Sequence, residues 1–233
     1  MAAYQELVHK TTTARQSFVE LPLIREVLQN GASKVLYLDF LGQAYHHVKH
    51  TAPLLGLAAA RCRSEDHLYQ AALFQYIEEE HGHELWILED IAALGGNPDA
   101  ARRGSPRLPC KVMVGHAYYV VDHVSPYALL GMIHVLEGMA VALAGKVASV
   151  LRGSIASSRE DAGFKYLTTH SDLDIHHAEF FEKLINAVDR HHMPVVIETT
   201  GDFYKLYGDI FRDLDARRAL DRGGPVEASR NSQ

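Results

Sequence analysis

Residues 127–151 read YALLGMIHVLEGMAVALAGKVASVL, a stretch with one acid, one lysine and one histidine. A segment so apolar on every side, opened by Ser125 as a cap and Pro126 in the first turn, predicts a helix at the centre of a bundle. The flanks carry the same helical period. Ser33 caps a helix running to Cys62 and bent near Pro53, and Ser64-Glu65-Asp66 start another that Gly95-Gly96-Asn97-Pro98 stops. A shorter helix covers residues 110–123. Ser157, Ser158, Glu160 and Asp161 open a long one that reaches His192, where Met193-Pro194 ends it, and an amphipathic helix spans residues 202–218. No alternating run of β-branched residues bounded by hairpin turns competes with this pattern. The expectation is an all-α chain, a single-domain bundle of seven to eight helices over residues 1–222, with 223–233 as a disordered tail. The polar stretch 97–109 is either a lid or a connection.

Composition narrows the function. With 47% hydrophobic and 22% charged residues and a formal charge of -6, the chain builds a sizeable core and offers no basic face to nucleic acid or an anionic membrane. Cys62 and Cys110 are too few for a disulfide framework, and the N-terminus lacks the apolar run of a signal peptide. A cytoplasmic protein is the expectation. The unusual feature is 15 histidines against 8 lysines.

Three helices carry polar groups unsuited to a core. In IEEEHGHELW, residues 77–86, Glu80 stands three and Glu79 four positions before His83, so either carboxylate shares a helix face with that imidazole. A solvated charged face is the competing reading for Glu78, Glu79, Glu80 and His81. Glu137 is the only acid between Asp122 and Glu160, and a buried carboxylate must meet a metal, a proton or a cation, with Lys146 and Arg152 as the cationic candidates. His170, Asp174 and His177 follow i, i+4, i+7 spacing, one stripe of a helix, flanked by Leu173, Phe180, Phe181 and Leu184. His176 points off that stripe. Together these helices offer three carboxylates and three imidazoles without thiolate, a set that suits iron or manganese and, by its size, two ions bridged by carboxylate. A structural zinc would favour a closed set of four, commonly with cysteine.

In this order, Glu and His on one helix, Glu on a central helix and His-x-x-x-Asp-x-x-His on a third, the sequence resembles the haem-oxygenase-like diiron oxidases, relatives of the thiaminase II and pyrroloquinoline-quinone synthase fold. AYHHVKHTAPLL (44–55) and HELWILEDIAALGG (83–96) extend the resemblance over most of the chain. It implies a haem-oxygenase-like helical bundle, a homodimer, two Fe(II) ions and dioxygen as co-substrate. It also implies an external reductant and a small organic substrate, an amino-acid-derived amine or a fatty acid, undergoing N-oxygenation or oxidative C–C cleavage. The ligands it implies are Glu80, His83, Glu137, His170, Asp174 and His177, with Glu79 or Glu78 as alternatives to Glu80 and His81 as the competitor of His83. The sacrificial tyrosine of the p-aminobenzoate-forming relatives has no counterpart between Phe18 and Val35. Tyr37, Tyr45, Tyr127 and Tyr166 remain as pocket or core aromatics, and one of His46, His47 and His50 is expected to line the pocket or support a ligand, with the others solvated. A haem-degrading oxygenase using one of those histidines, a thiaminase II-like hydrolase using a cysteine, and a ferritin-like iron-binding protein are the alternatives.

Overall fold

The computed structural model describes residues 1–155 and 162–222, the side chains of 170–177, 221 and 222 excepted. Those residues are helical and contain no strand. The chain opens with α1 (Ala3–Val19) and α2 (Pro22–Asn30), then α3 (Lys34–Val48), α4 (Thr51–Arg61), α5 (His67–Glu80) and α6 (His83–Ala93). It continues through α7 (Pro98–Arg103), α8 (Leu108–Tyr119), α9 (Leu129–Met139), α10 (Gly145–Ser154), α11 (Lys165–Ala187) and α12 (Met193–Arg222).

Twelve α-helical segments among the described residues exceed the seven or eight expected, because several expected helices are interrupted. The helix expected over 33–62 breaks at Lys49–His50, upstream of the anticipated bend. The cause is Pro53, whose ring would strike the carbonyl four residues earlier, that of Lys49, if the helix ran on. At the third position of α4 the missing N–H costs nothing, since that donor has no intrahelical acceptor. The helix expected from Ser64 to Gly95 breaks at His81–Gly82, where Gly82 adopts φ 94° and three consecutive glutamates face the unfavourable negative end of α5. Pro194 also has a different role from the expected one. The helix before it already ends at Ala187, and Pro194 lies in the first turn of α12, which starts at Met193 rather than near Asp202. The expected opening at 157–161 and the tail 223–233 lie outside the described residues.

The central stretch is a continuous helical rod from Pro126 to Ser154, with a π turn at Ala140–Ala144 joining α9 to α10. By length and composition it could cross a membrane, yet it packs as a core helix, α9 against α12 and the π turn against α11. Gly131 permits this closeness: a Cβ there would collide with the Thr199 hydroxyl and lie 2.7 Å from the Thr200 nitrogen. The stretch 97–109 is a pinned connection. Asn97 caps α7, and beyond it the Arg107 guanidinium pairs with Asp39 of α3 and Asp213 of α12 while its N–H donates to Gln43 Oε1.

Candidate metal centre

Between α1–α5 and α9–α12 lies a cavity of about 180 Å³. Leucines, isoleucines, valines and aromatics dominate its wall, and its acids are Glu80 and Glu137. No lysine or arginine is among the described lining residues, and His47 is the one imidazole.

The first pair is assembled by the break in the helix. Gly82, in its left-handed conformation, interrupts the helix, and His83 Nδ1 comes to 3.1 Å from Glu80 Oε2 with both side chains largely buried. Spacing left Glu79 and Glu80 both open as neighbours of His83; Glu80 is the one in contact, and a turn rather than one helix face brings them together. The same turn separates the candidates. His81 is exposed whereas His83 is 4% exposed and stacks on Trp86, with ring centroids 4.0 Å apart. Glu78 is exposed, and Glu79 accepts a hydrogen bond from Gln75 Nε2 at 2.9 Å.

Glu137 projects from the rod into the cavity, where the Tyr76 hydroxyl donates to its Oε2 at 3.5 Å. Burial first, and then the Glu137 charge, push the Tyr76 phenol far above its ordinary range, so it stays protonated and remains a donor. The cationic alternatives do not reach. Lys146 is exposed and nine residues along the rod, about 14 Å, while Arg152, about 22 Å along, lies over the Phe164 ring.

Positions 170, 174 and 177 lie on the unbroken helix α11, in register with Leu167, Phe181 and Leu184, all buried. The side chains of His170, Asp174 and His177 lie outside the described residues. What anchors this helix is a residue the sequence reading passed over. Asp90 of α6, 1% exposed, receives the Lys165 N–H at 2.9 Å and the Tyr166 N–H at 2.8 Å, capping α11 from a neighbouring helix. Burial pushes its carboxyl up from the ordinary value, and the two N–H groups oppose that shift. The signal was present: Asp90 falls seven residues after His83, on the same buried stripe as Ile87 and Ile91. One carboxylate therefore fixes the helix of the third motif against the helix of the first.

Among the described residues no group of three or more histidines, cysteines or acids stands close enough to hold a metal ion. Glu80, His83 and Glu137 are the described part of the expected set: the two carboxylates line the cavity, His83 meets Glu80 behind its wall, and oxygen donors with an imidazole beside them fit iron. The sequence profile of a family described as iron-containing redox enzymes matches residues 38–207. The chain belongs to that family. No curated protein matches it in sequence. Among solved structures it is similar to a domain of unknown function with a haem oxygenase-like fold from Shewanella denitrificans, with TM-score 0.83, 23% identity and 96% of each chain covered. A TenA homologue from Pseudomonas syringae gives TM-score 0.77 and 14% identity over 92% of this chain and 93% of that one. Haem oxygenase-1 from Synechocystis, in complex with haem, gives 0.72 and 11% over 96% of each. At these identities the neighbours establish the fold, which is the expected haem-oxygenase-like one.

The remaining family features sort by burial. His47 lines the cavity, as expected of one of the three nearby histidines. His46 and His50 are not solvated as expected: His46 is buried with its Nδ1 accepting from Lys49 Nζ at 3.2 Å, and His50 is half-buried with its Nδ1 sharing a 3.0 Å hydrogen bond with the Tyr118 hydroxyl. Burial, with Lys49 adding, pushes His46 down to about 4. Tyr37 and Tyr166 line the cavity; Tyr45 and Tyr127 do not. Cys110 is fully buried with its thiol toward the Gln43 carbonyl, and burial pushes both it and Cys62 up to about 11.

Proposed function

We propose that this iron-containing redox enzyme is a non-haem diiron oxidase or oxygenase that uses dioxygen to oxidise a small organic substrate. Its proposed ligands are Glu80, His83, Glu137, His170, Asp174 and His177. The observation that carries the reading is the convergence of Glu80 and Glu137 on one apolar cavity, with His83 held against Glu80 behind the wall, beside a helix capped by Asp90. When bound there, two ferrous ions supply the electrons that reduce dioxygen. The chain's own part is different. The apolar wall offers water few hydrogen-bonding partners, and Tyr76 keeps a proton beside Glu137, holding that carboxylate in place.

The lining also bears on the substrate. A free amino acid would need a cation for its carboxylate, and the described wall offers none. An apolar chain with at most one polar end, the fatty-acid type of substrate, fits this wall better than an amine-bearing amino acid.

The alternatives are less well supported. A haem would have to set its own carboxylates against Glu80 and Glu137 without a neutralising lysine or arginine in the described lining. A thiaminase II-like hydrolase needs an accessible thiolate, whereas neither cysteine lines the cavity and both thiols are pushed toward the protonated form. A ferritin-like site would repeat Glu-x-x-His on two helices, and of the Glu-x-x-His spacings here only Glu80–His83 is buried, since His9 and His81 are exposed. We further place the enzyme in the cytoplasm as a homodimer acting on a small molecule, apart from nucleic acid and membranes, over a single folded domain.

The test is anaerobic Fe(II) loading with metal counted per chain, followed by exposure to oxygen under optical and Mössbauer observation. Two irons per chain, falling to one or none in His83→Ala and Glu137→Gln, support the reading. Full loading in both variants refutes the ligand assignment.

A further inference from the structure

A line of aromatic rings leads away from the candidate centre and ends at the surface. Tyr76, whose hydroxyl meets Glu137, and Tyr69 are seven residues apart on one face of α5, about 10.5 Å along its axis. Both are buried. Tyr69 stacks on Tyr127, with ring centroids 4.2 Å apart and planes within 17°. Tyr127 in turn stacks on His192 at 3.7 Å and 15°, and His192 lies 3.7 Å from the exposed ring of His191. Packing alone would satisfy these rings with any apolar partner. What packing does not explain is the placement of the hydroxyls.

Oxidising a phenol by one electron makes its proton strongly acidic, so a tyrosine can hold an oxidising equivalent only where a base takes that proton and later returns it. Along this line Tyr76 and Tyr127 have such a base, and only that of Tyr127 is not itself a candidate ligand. The Tyr127 hydroxyl donates to Asp66 Oδ1 at 2.8 Å. The Asp66 carboxylate is itself held by the Arg63 N–H at 2.9 Å. Tyr69 donates to the Pro126 carbonyl at 2.9 Å, an oxygen that cannot keep a proton, so oxidation does not come to rest there. Tyr127 also begins the rod that carries Glu137 ten residues later, about 15 Å along the axis, and Tyr69 and Tyr76 divide that span.

We infer that Tyr127, paired with Asp66 and stacked between Tyr69 and His192, is a reversible one-electron donor through which the centre exchanges electrons with a reductant in solution. The inference rests on the diiron reading for its inner end. In the step, Tyr127 loses one electron, which passes by way of Tyr69 and Tyr76 to the oxidised centre, and its phenolic proton moves to Asp66. A one-electron donor of the ascorbate class, arriving at the His191–His192 face, then returns the electron, and Asp66 returns the proton. Phenol and carboxylate are restored, and the net transfer is one electron from the donor inward.

The test uses the full chain, with iron counted in every sample. Ferrous-loaded protein is mixed with oxygen in the absence of substrate and freeze-quenched for electron paramagnetic resonance, with ring-deuterated tyrosine to identify the signal. A tyrosyl radical is expected in the native chain, lost in Tyr127→Phe, which keeps the stack, short-lived in Asp66→Asn, and quenched by ascorbate. A radical unchanged in Tyr127→Phe, or none in protein that holds two irons and oxidises them, overturns the inference while leaving the diiron reading intact. If the protein holds no iron, the diiron reading fails and the outer end is judged alone. Metal-free protein is then flashed with a soluble ruthenium photo-oxidant, and only a long-lived radical dependent on Tyr127 and Asp66 sustains the donor.

Discussion

Replacing Asp90 by alanine removes both acceptors that cap α11 and leaves the Lys165 and Tyr166 N–H groups to find others. Each hydrogen bond to a charged group contributes about 1.5–3 kcal/mol. Two effects reduce the sum. Lys165 is exposed, so water replaces one acceptor, and the raised carboxyl shows that burying this charge already costs stability. A net loss of about 2–3 kcal/mol remains. For a chain of this size that lowers the melting temperature by about 4–12 °C, measurable by circular dichroism. Stability alone does not separate a local anchor from a generic core residue, so the same samples are loaded with ferrous iron at a temperature where both are folded. If Asp90 sets the register of the helix bearing positions 170, 174 and 177, Asp90→Ala loses iron while a variant of equal stability loss elsewhere does not. Asp90→Asn, which keeps one acceptor oxygen, should fall between. An Asp90→Ala protein with native melting temperature and native iron content would refute the anchoring role.

Gly131→Ala supplies the control for equal stability loss. Its Cβ meets α12 backbone 2.7 Å away, which cannot yield, so the cost is about 1–3 kcal/mol in thermal melting, with iron loading kept. Stability should also fall as pH drops from about 6.5 to 4. Burial, with Arg15 adding, pushes His134 down to about 4, so the unfolded chain binds a proton that the folded one refuses, a penalty of about 3 kcal/mol below that range. His134→Phe, which suits the surrounding rings of Tyr4, Phe181 and Tyr204, should flatten that slope in urea titrations; an unchanged slope would place the sensitivity elsewhere. Cys110→Ala should retain any oxidase turnover, since its thiol faces a backbone carbonyl and not the cavity. Abolished turnover with native folding would revive a thiol mechanism.

Much of the molecule was legible in the residues because helical signals are local. The apolar stretch around Glu137 marked the central rod, since a helix without a polar face has nowhere to lie but inside. Pro53 required an interruption, but the clash falls four residues upstream, so the break stands at Lys49–His50 instead of at the proline. Sequence also narrowed the chemistry, because acids and histidines in apolar segments are too costly to be incidental.

Which of those groups meet was decided by the tertiary structure. The resemblance preferred Glu80 and His83 but left Glu78, Glu79 and His81 open, and only the turn at Gly82 and the packing of α6 bury His83 with Glu80 and leave His81 outside. Asp90 looked like one more acid in a helix until α11 placed its first N–H groups over it from 75 residues away. Tyr76 and Glu137, 61 residues apart, share a hydrogen bond no spacing rule could supply. Periodicity says which residues share a face of one helix; only the packing of helices distant in sequence says what that face meets.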